Sequence, residues 1–234
     1  MDCKAHVLQH KANATPDIND EIGCAVSSAQ ENGMASRPKV YLAGPDVFLP
    51  DAVSIGRRKK ELCAHYGFEG LYPFDNEISG DHLGTRVDLL IYRANVAMIH
   101  EADFGIFNLT PFRGSSADAG TVFELGMFAA LAKPVFGYTS DAEDLLSRVK
   151  QSGSVTRDPM GQWRDWMGMS VENFHNADNL MIEAVFLEQG HPIIRHATAA
   201  DARFTDLMGF ELCLREAAKD LLAHHPPGGM RIVR

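Results

Sequence analysis

Short apolar runs alternating with helical stretches restrict this chain to few architectures. Lys39-Val-Tyr-Leu-Ala-Gly-Pro45, Ala102-Asp-Phe-Gly-Ile-Phe-Asn-Leu109 and Ala132-Lys-Pro-Val-Phe-Gly-Tyr138 each read as a strand, and Gly67 to Phe74 is a fourth candidate. Their near-continuous apolar character suits strands covered on both faces. Helices are expected over residues 51–66, 85–102 and 118–132, with an amphipathic helix over 205–223 closing the domain. Parallel strands need crossover connections, and right-handed strand–helix–strand crossovers place helices on the faces of a single sheet. The expected fold is therefore α/β, a three-layer sandwich with a central parallel sheet. In such sheets ligands bind beyond the carboxyl ends of the strands. Tyr41, Asp46, Asp75, Asp118 and Glu124 all fall at or near those ends, and Asp46 and Phe48 sit where the first strand–helix loop should meet a ligand.

The stretch Asp118-Ala-Gly-Thr-Val-Phe-Glu-Leu-Gly126 carries the chemistry. It opens a helix that is apolar almost all round, and such a helix is usually buried. Glu124 is the one charged residue between Asp118 and Lys133. A buried carboxylate is costly unless it is hydrogen-bonded or functional, and the helix N-terminus favours its ionised form. An anion held in a dry pocket suits a nucleophile that accepts a glycosyl group. The same letters also spell a capping box, Thr121-Val-Phe-Glu124, in which the glutamate only bonds back to a backbone N–H. On spacing alone that is the commoner use. An Arg-Gly loop upstream and two acids flanking a glycine turn weigh toward chemistry.

Composition removes several alternatives. The 234 residues carry 22 basic and 31 acidic side chains, a net charge of −9 that argues against a nucleic-acid or anionic-membrane surface. The four cysteines are far apart, with no CxxC or H-E-x-x-H spacing, so no metal site is expected. With no G-x-G-x-x-G there is no case for a dinucleotide, and no cofactor is expected. No apolar run is long enough to span a bilayer and the N-terminus lacks a signal-peptide core, which points to the cytoplasm. Residues 1–36 read as a flexible extension, 37–225 as the folded domain and 226–234 as a flexible tail. Residues 150–176, rich in Gly, Ser, Asp, Trp and Met, read either as a lid loop or as a surface loop whose tryptophans pack locally. No internal repeat is evident.

Four segments then carry a resemblance. Val40-Tyr-Leu-Ala-Gly-Pro45, Pro111-Phe-Arg-Gly114, Asp118-x-Gly-Thr-x-Phe-Glu-Leu-Gly126 and Asn179-Leu-Met181 occur in the order found in the nucleoside 2-deoxyribosyltransferase family, which the chain resembles over roughly residues 38 to 190. The resemblance implies a flavodoxin-like fold and transfer of 2-deoxyribose between nucleobases through a covalent intermediate. It makes Glu124 the nucleophile, Asp118 the acid that protonates the leaving base, and Tyr41 the residue that orients the glutamate. Gly44, Asp46, Phe48, Asp75, Asn95, Arg113, Asn179 and Met181 become the expected substrate contacts. Asn95 falls where the family often has a base-binding aspartate, so the chain departs there. Asn179 matches an asparagine lent by a neighbouring subunit, which implies a homo-oligomer. The partners implied are deoxynucleosides and free nucleobases. A hydrolase cleaving nucleosides or their 5′-monophosphates is the rival reading, and a non-catalytic nucleoside sensor a more distant one. Asp46 in the first loop argues against a phosphate there.

Overall fold

The computed structural model describes residues 36–75 and 86–222. In chain order the elements are β1 (Lys39–Ala43), α1 (Ala52–His65), β2 (Glu69–Leu71), α2 (Val87–Glu101), β3 (Phe104–Asn108), α3 (Ala119–Ala130) and β4 (Val135–Thr139). They continue with α4 (Leu145–Ser152), the two-residue strands β5 (Thr156–Arg157) and β6 (Trp163–Arg164), α5 (Leu180–Glu188), β7 (Ile194–Arg195) and α6 (Met208–Ala217). The main sheet runs β2-β1-β3-β4-β7 with every pair parallel. Reading β7 as the fifth strand of the sheet, this is the flavodoxin-like order.

Strand alternation decides which side chain faces which helix layer. In β1, Tyr41 and Ala43 join Phe107, Met98 and Ile99 of α2, Leu125 and Phe128 of α3, and Ile182 and Phe186 of α5 in one cluster. Val40 and Leu42 face the other way, with Phe104, Ile106 and Tyr138, against Cys63 of α1 and Phe210, Cys213 and Leu214 of α6. Each cluster lies between the sheet and one helix layer, so the three-layer expectation holds. Gly137 in β4 has a packing role: a Cβ there would lie 2.7 Å from the Phe186 ring of α5. The close seat of α5 on the sheet therefore needs glycine at that point.

Three sequence expectations are corrected here. The second strand shrinks to Glu69–Leu71, because Pro73 starts a short 3-10 turn that ends it. The closing helix is regular only over Met208–Ala217 and widens into a π-type turn over Ala218–Leu222. Most tellingly, the apolar helix α3 buries one face only: Thr121, Leu125 and Phe128 are buried, whereas Phe123 is 57% exposed. The expected tail 226–234 and, but for Ser36, the extension 1–36 lie outside the described residues.

Residues 150–176 are not a structureless loop. β5 and β6 pair antiparallel, and Arg164 bridges onward to Ser170. Two turns of one design cap this hairpin. Asp158-Pro-Met-Gly161 and Asp165-Trp-Met-Gly168 share the pattern D-x-M-G, seven residues apart, with both glycines at positive φ (81° and 76°). In each, the aspartate carboxylate accepts the N–H groups two and four residues on, at 2.9 Å. A short repeat was thus present in the sequence. Trp163 packs locally, beneath Lys150 and Arg157, with the Lys150 ammonium 3.6 Å from its ring centroid; Trp166 is exposed. No described helix is long and apolar enough to cross a membrane.

Candidate active site

Glu124 sits in the second turn of α3, and its side chain turns toward the sheet. The Tyr41 hydroxyl, on a ring wholly buried in β1, donates to Glu124 Oε1 at 2.7 Å. Asn95 Nδ2, from α2, reaches the same oxygen at 3.4 Å. The helix is capped by Asp118 instead: its Oδ2 accepts Thr121 N–H at 3.0 Å and the Thr121 hydroxyl at 3.2 Å. The capping-box reading of Glu124 is therefore overturned, since the N-cap is already an acid and a glutamate bonded to a strand tyrosine is not a cap. Among the described residues, Oε2 of Glu124 and Oδ1 of Asp118 receive no hydrogen bond.

Burial pushes the Glu124 carboxyl up from its ordinary 4.5 to about 7. The Tyr41 hydrogen bond opposes that rise, the Asp118 charge adds to it, and Asn95 opposes it again. Desolvation is thus the largest influence on this carboxyl, ahead of the hydrogen bonds and charge around it. Tyr41 is itself held far above the ordinary phenol range, by burial and then by the Glu124 charge, so it stays a donor.

The remaining expected residues divide into two groups. Phe48 and Arg113 come together at the carboxyl ends of β1 and β3. The Phe48 ring stacks on Phe112 with centroids 5.2 Å apart and planes 8° from parallel. The Arg113 guanidinium lies over both rings, at 5.2 Å and 4.6 Å. Arg113 holds φ at 55°, a left-handed conformation that costs energy for a residue with a Cβ. Gly44 is fixed by close approach, since a Cβ would fall 2.6 Å from both Asn108 Cβ and Asp46 Oδ1.

Asp46 is a correction. It was expected to meet a ligand, but it is 1% exposed and its charge points inward. Lys59 Nζ of α1, equally buried, pairs with Oδ2 at 2.7 Å; the Tyr72 hydroxyl reaches that oxygen at 3.4 Å, and Asn108 Nδ2 donates to Oδ1 at 3.2 Å. The case against a phosphate built on Asp46 falls with it, because the carboxylate is neutralised and turned away. Asp75 is likewise drawn toward α1, where it pairs with Lys60 at 2.7 Å and accepts Tyr72 N–H at 3.3 Å. Asn179 caps α5: its Oδ1 accepts Met181 N–H at 3.0 Å and its Nδ2 donates to Glu172 at 2.7 Å. Met181, two residues on, is 69% exposed.

Sequence reasoning missed the buried charges that hold these loops. Asp178 accepts Ala117 N–H at 2.8 Å, Asn179 N–H at 2.7 Å and the Ser116 hydroxyl. Arg148, buried nearby, donates to the carbonyls of Ser115 at 2.8 Å, Glu143 at 2.6 Å and Ala177. One carboxylate thus registers the start of α5 against the loop that ends in Asp118. The only hint in the sequence was an acid directly before the Asn179-Leu-Met181 motif. For Lys59 there was a clearer one: Ile55, Lys59 and Cys63 form one i, i+4, i+8 stripe, all buried, so the lysine occupies a core position within a run of four basic residues.

Comparisons with known proteins bear on the family and the fold. Residues 40–181 match the sequence model described as nucleoside 2-deoxyribosyltransferase. An uncharacterized protein of Schizosaccharomyces pombe is 33% identical over 166 residues, covering 65% of this chain and 79% of that protein. A solved structure of a 2-desoxiribosyltransferase from Leishmania mexicana superposes with a TM-score of 0.53 at 28% identity, covering 79% of this chain and 99% of that one.

Proposed function

Because the chain belongs to the nucleoside 2-deoxyribosyltransferase family, we propose that it moves 2-deoxyribose from one nucleobase to another through a glycosyl-enzyme intermediate on Glu124. The observation that carries this reading is the Tyr41–Glu124 hydrogen bond of 2.7 Å, which fixes a half-buried carboxylate at the open end of the sheet. In the first half-reaction a Glu124 oxygen forms a bond to C1′ while the C1′–N bond breaks, and Asp118 delivers a proton to the departing base. In the second, a nitrogen of the incoming base attacks C1′, the ester C–O bond breaks, and Asp118 takes the proton back. Protonation makes the base a better leaving group and the anion stabilises the oxocarbenium-like sugar. Glu124 must be ionised to attack, so its carboxyl at about 7 places the acid limb of the rate profile near neutrality.

The Phe48–Phe112–Arg113 group supplies a flat cationic wall suited to a base. Self-association is part of the proposal. The α2–α3–α5 face leaves Tyr92, Phe123, Leu180 and Met181 uncovered, with Tyr92 and Phe123 ring centroids 6.4 Å apart. Apolar surface of this kind marks an interface, and it adjoins Asn179, expected to complete a neighbour's site.

The test is incubation with 2′-deoxyinosine, with and without adenine. Deoxyadenosine formed only when adenine is present, and lost in Glu124→Ala, is the expected result. Hypoxanthine released at the same rate without adenine would assign a hydrolase, and ligand binding without turnover a sensor.

A further inference from the structure

Two donors from different elements meet on a single oxygen of Glu124. Tyr41 comes from β1 and Asn95 from α2, at 2.7 Å and 3.4 Å from Oε1. A carboxylate has two equivalent oxygens, and a nucleophile that can rotate about its last torsion presents either. Pinning one oxygen with donors on two sides removes that freedom. Building on the transferase reading, we propose that Asn95 is a positioning residue for Glu124, not a base contact: with Tyr41 it holds Oε1 and leaves Oε2 as the oxygen that meets C1′.

Residue chemistry favours the amide in this role. An amide nitrogen donates at every pH and adds no charge. A carboxylate at the same place would set a second anion 3.4 Å from Oε1, where Asp118 already raises the Glu124 carboxyl by its charge. Two carboxyl groups so close would share a proton, and the nucleophile would then be ionised only at higher pH. Asparagine lets α2 grip the glutamate without that effect. The titratable groups acting on Glu124 from the surrounding elements are Asp118, at the cap of its own helix, and Tyr41 of β1; α2 brings the uncharged Asn95.

Asn95→Asp and Asn95→Ala, with the unmodified enzyme, separate the possibilities. The pH profile of kcat/KM for deoxynucleoside cleavage should keep its shape, with the acid limb moved alkaline by about one unit or more in Asn95→Asp. In Asn95→Ala kcat should drop about tenfold or more with KM changed little, as expected when only the transition state is lost. The ratio of rates for adenine and hypoxanthine as acceptors should stay as in the unmodified enzyme. A changed acceptor ratio with an unmoved limb would overturn the proposal and make Asn95 a base reader, while the transferase reading stood. Infrared difference titration of the Glu124 carboxyl, assigned by subtracting Glu124→Gln, reports the same property without turnover. There the carboxyl should titrate higher in both Asn95 variants, and identical titrations would reject the clamp even if the protein transferred nothing. Absence of turnover in the unmodified enzyme would count against the function alone.

Discussion

Glu124 is a carboxylate that the fold makes expensive to ionise. Its folded value of about 7 lies above its ordinary 4.5, so the folded state binds its proton more tightly than the unfolded chain does. The sign follows: this contribution to stability is complete below the unfolded value and is lost as pH rises through the folded one. A shift of this size corresponds to on the order of 3 kcal/mol. Glu124→Gln carries no such group and should gain on the native protein across that window. Thermal melts at about pH 5 and about pH 8 should show the variant's melting temperature rising relative to native by several degrees, with transfer abolished. A constant difference would mean that Glu124 is not desolvated. At this scale the sequence singled out Glu124 but suggested the wrong balance of forces on it. The isolated glutamate in an apolar helix was visible from its letters, and the dipole at the helix start suggested easy ionisation. How dry the site is depends on β1 and α2 closing over it, which no local pattern records. Asp46 and Lys59 fail to show for the same reason: two charges that look solvated in a list of letters neutralise each other where two elements meet.

Elements were easier to place than their exposed faces. The three inner strands lie inside the expected runs, apart from one extra residue at the end of β4, because apolar runs bounded by Gly and Pro leave little choice. The hairpin of residues 156–164 was not legible, since its strands are two residues each and its order comes from aspartate-capped turns. Those turns give the segment a fixed shape, the form a lid needs if it is to keep water from the proposed glycosyl-enzyme intermediate. Replacing residues 155–170 with a short Gly-Ser linker, which spares Glu172 and its bonds to Asn179 and Leu180, should raise hydrolysis relative to transfer several-fold. The ratio of free deoxyribose to transferred nucleoside measures this, and an unchanged ratio would leave the hairpin without a protective role.

Across the molecule, the unexpected feature is apolar helix surface left open. Sequence patterning placed α3 inside, and a single chain leaves Phe123 57% and Tyr92 51% exposed. The letters were consistent with burial, but burial by a second copy looks the same in a sequence as burial by the chain's own core. Phe123→Lys should lower the mass of the native assembly measured by light scattering, and should cost activity if a neighbour's Asn179 completes the site. A native protein already monomeric at micromolar concentration would remove the argument.

The sheet itself has a further consequence. Its outer strands, β2 and β7, have three and two residues, against five for each inner strand. Such short ladders offer too few free backbone groups to template another strand. Association edge to edge, which builds endless fibres, is disfavoured at both margins of the described sheet. A helix-face contact repeated about a two-fold axis closes on itself. The apolar helix face, with Tyr92 and Phe123 uncovered, is then the surface left for the self-association proposed above, and a paired contact through it would end with two copies.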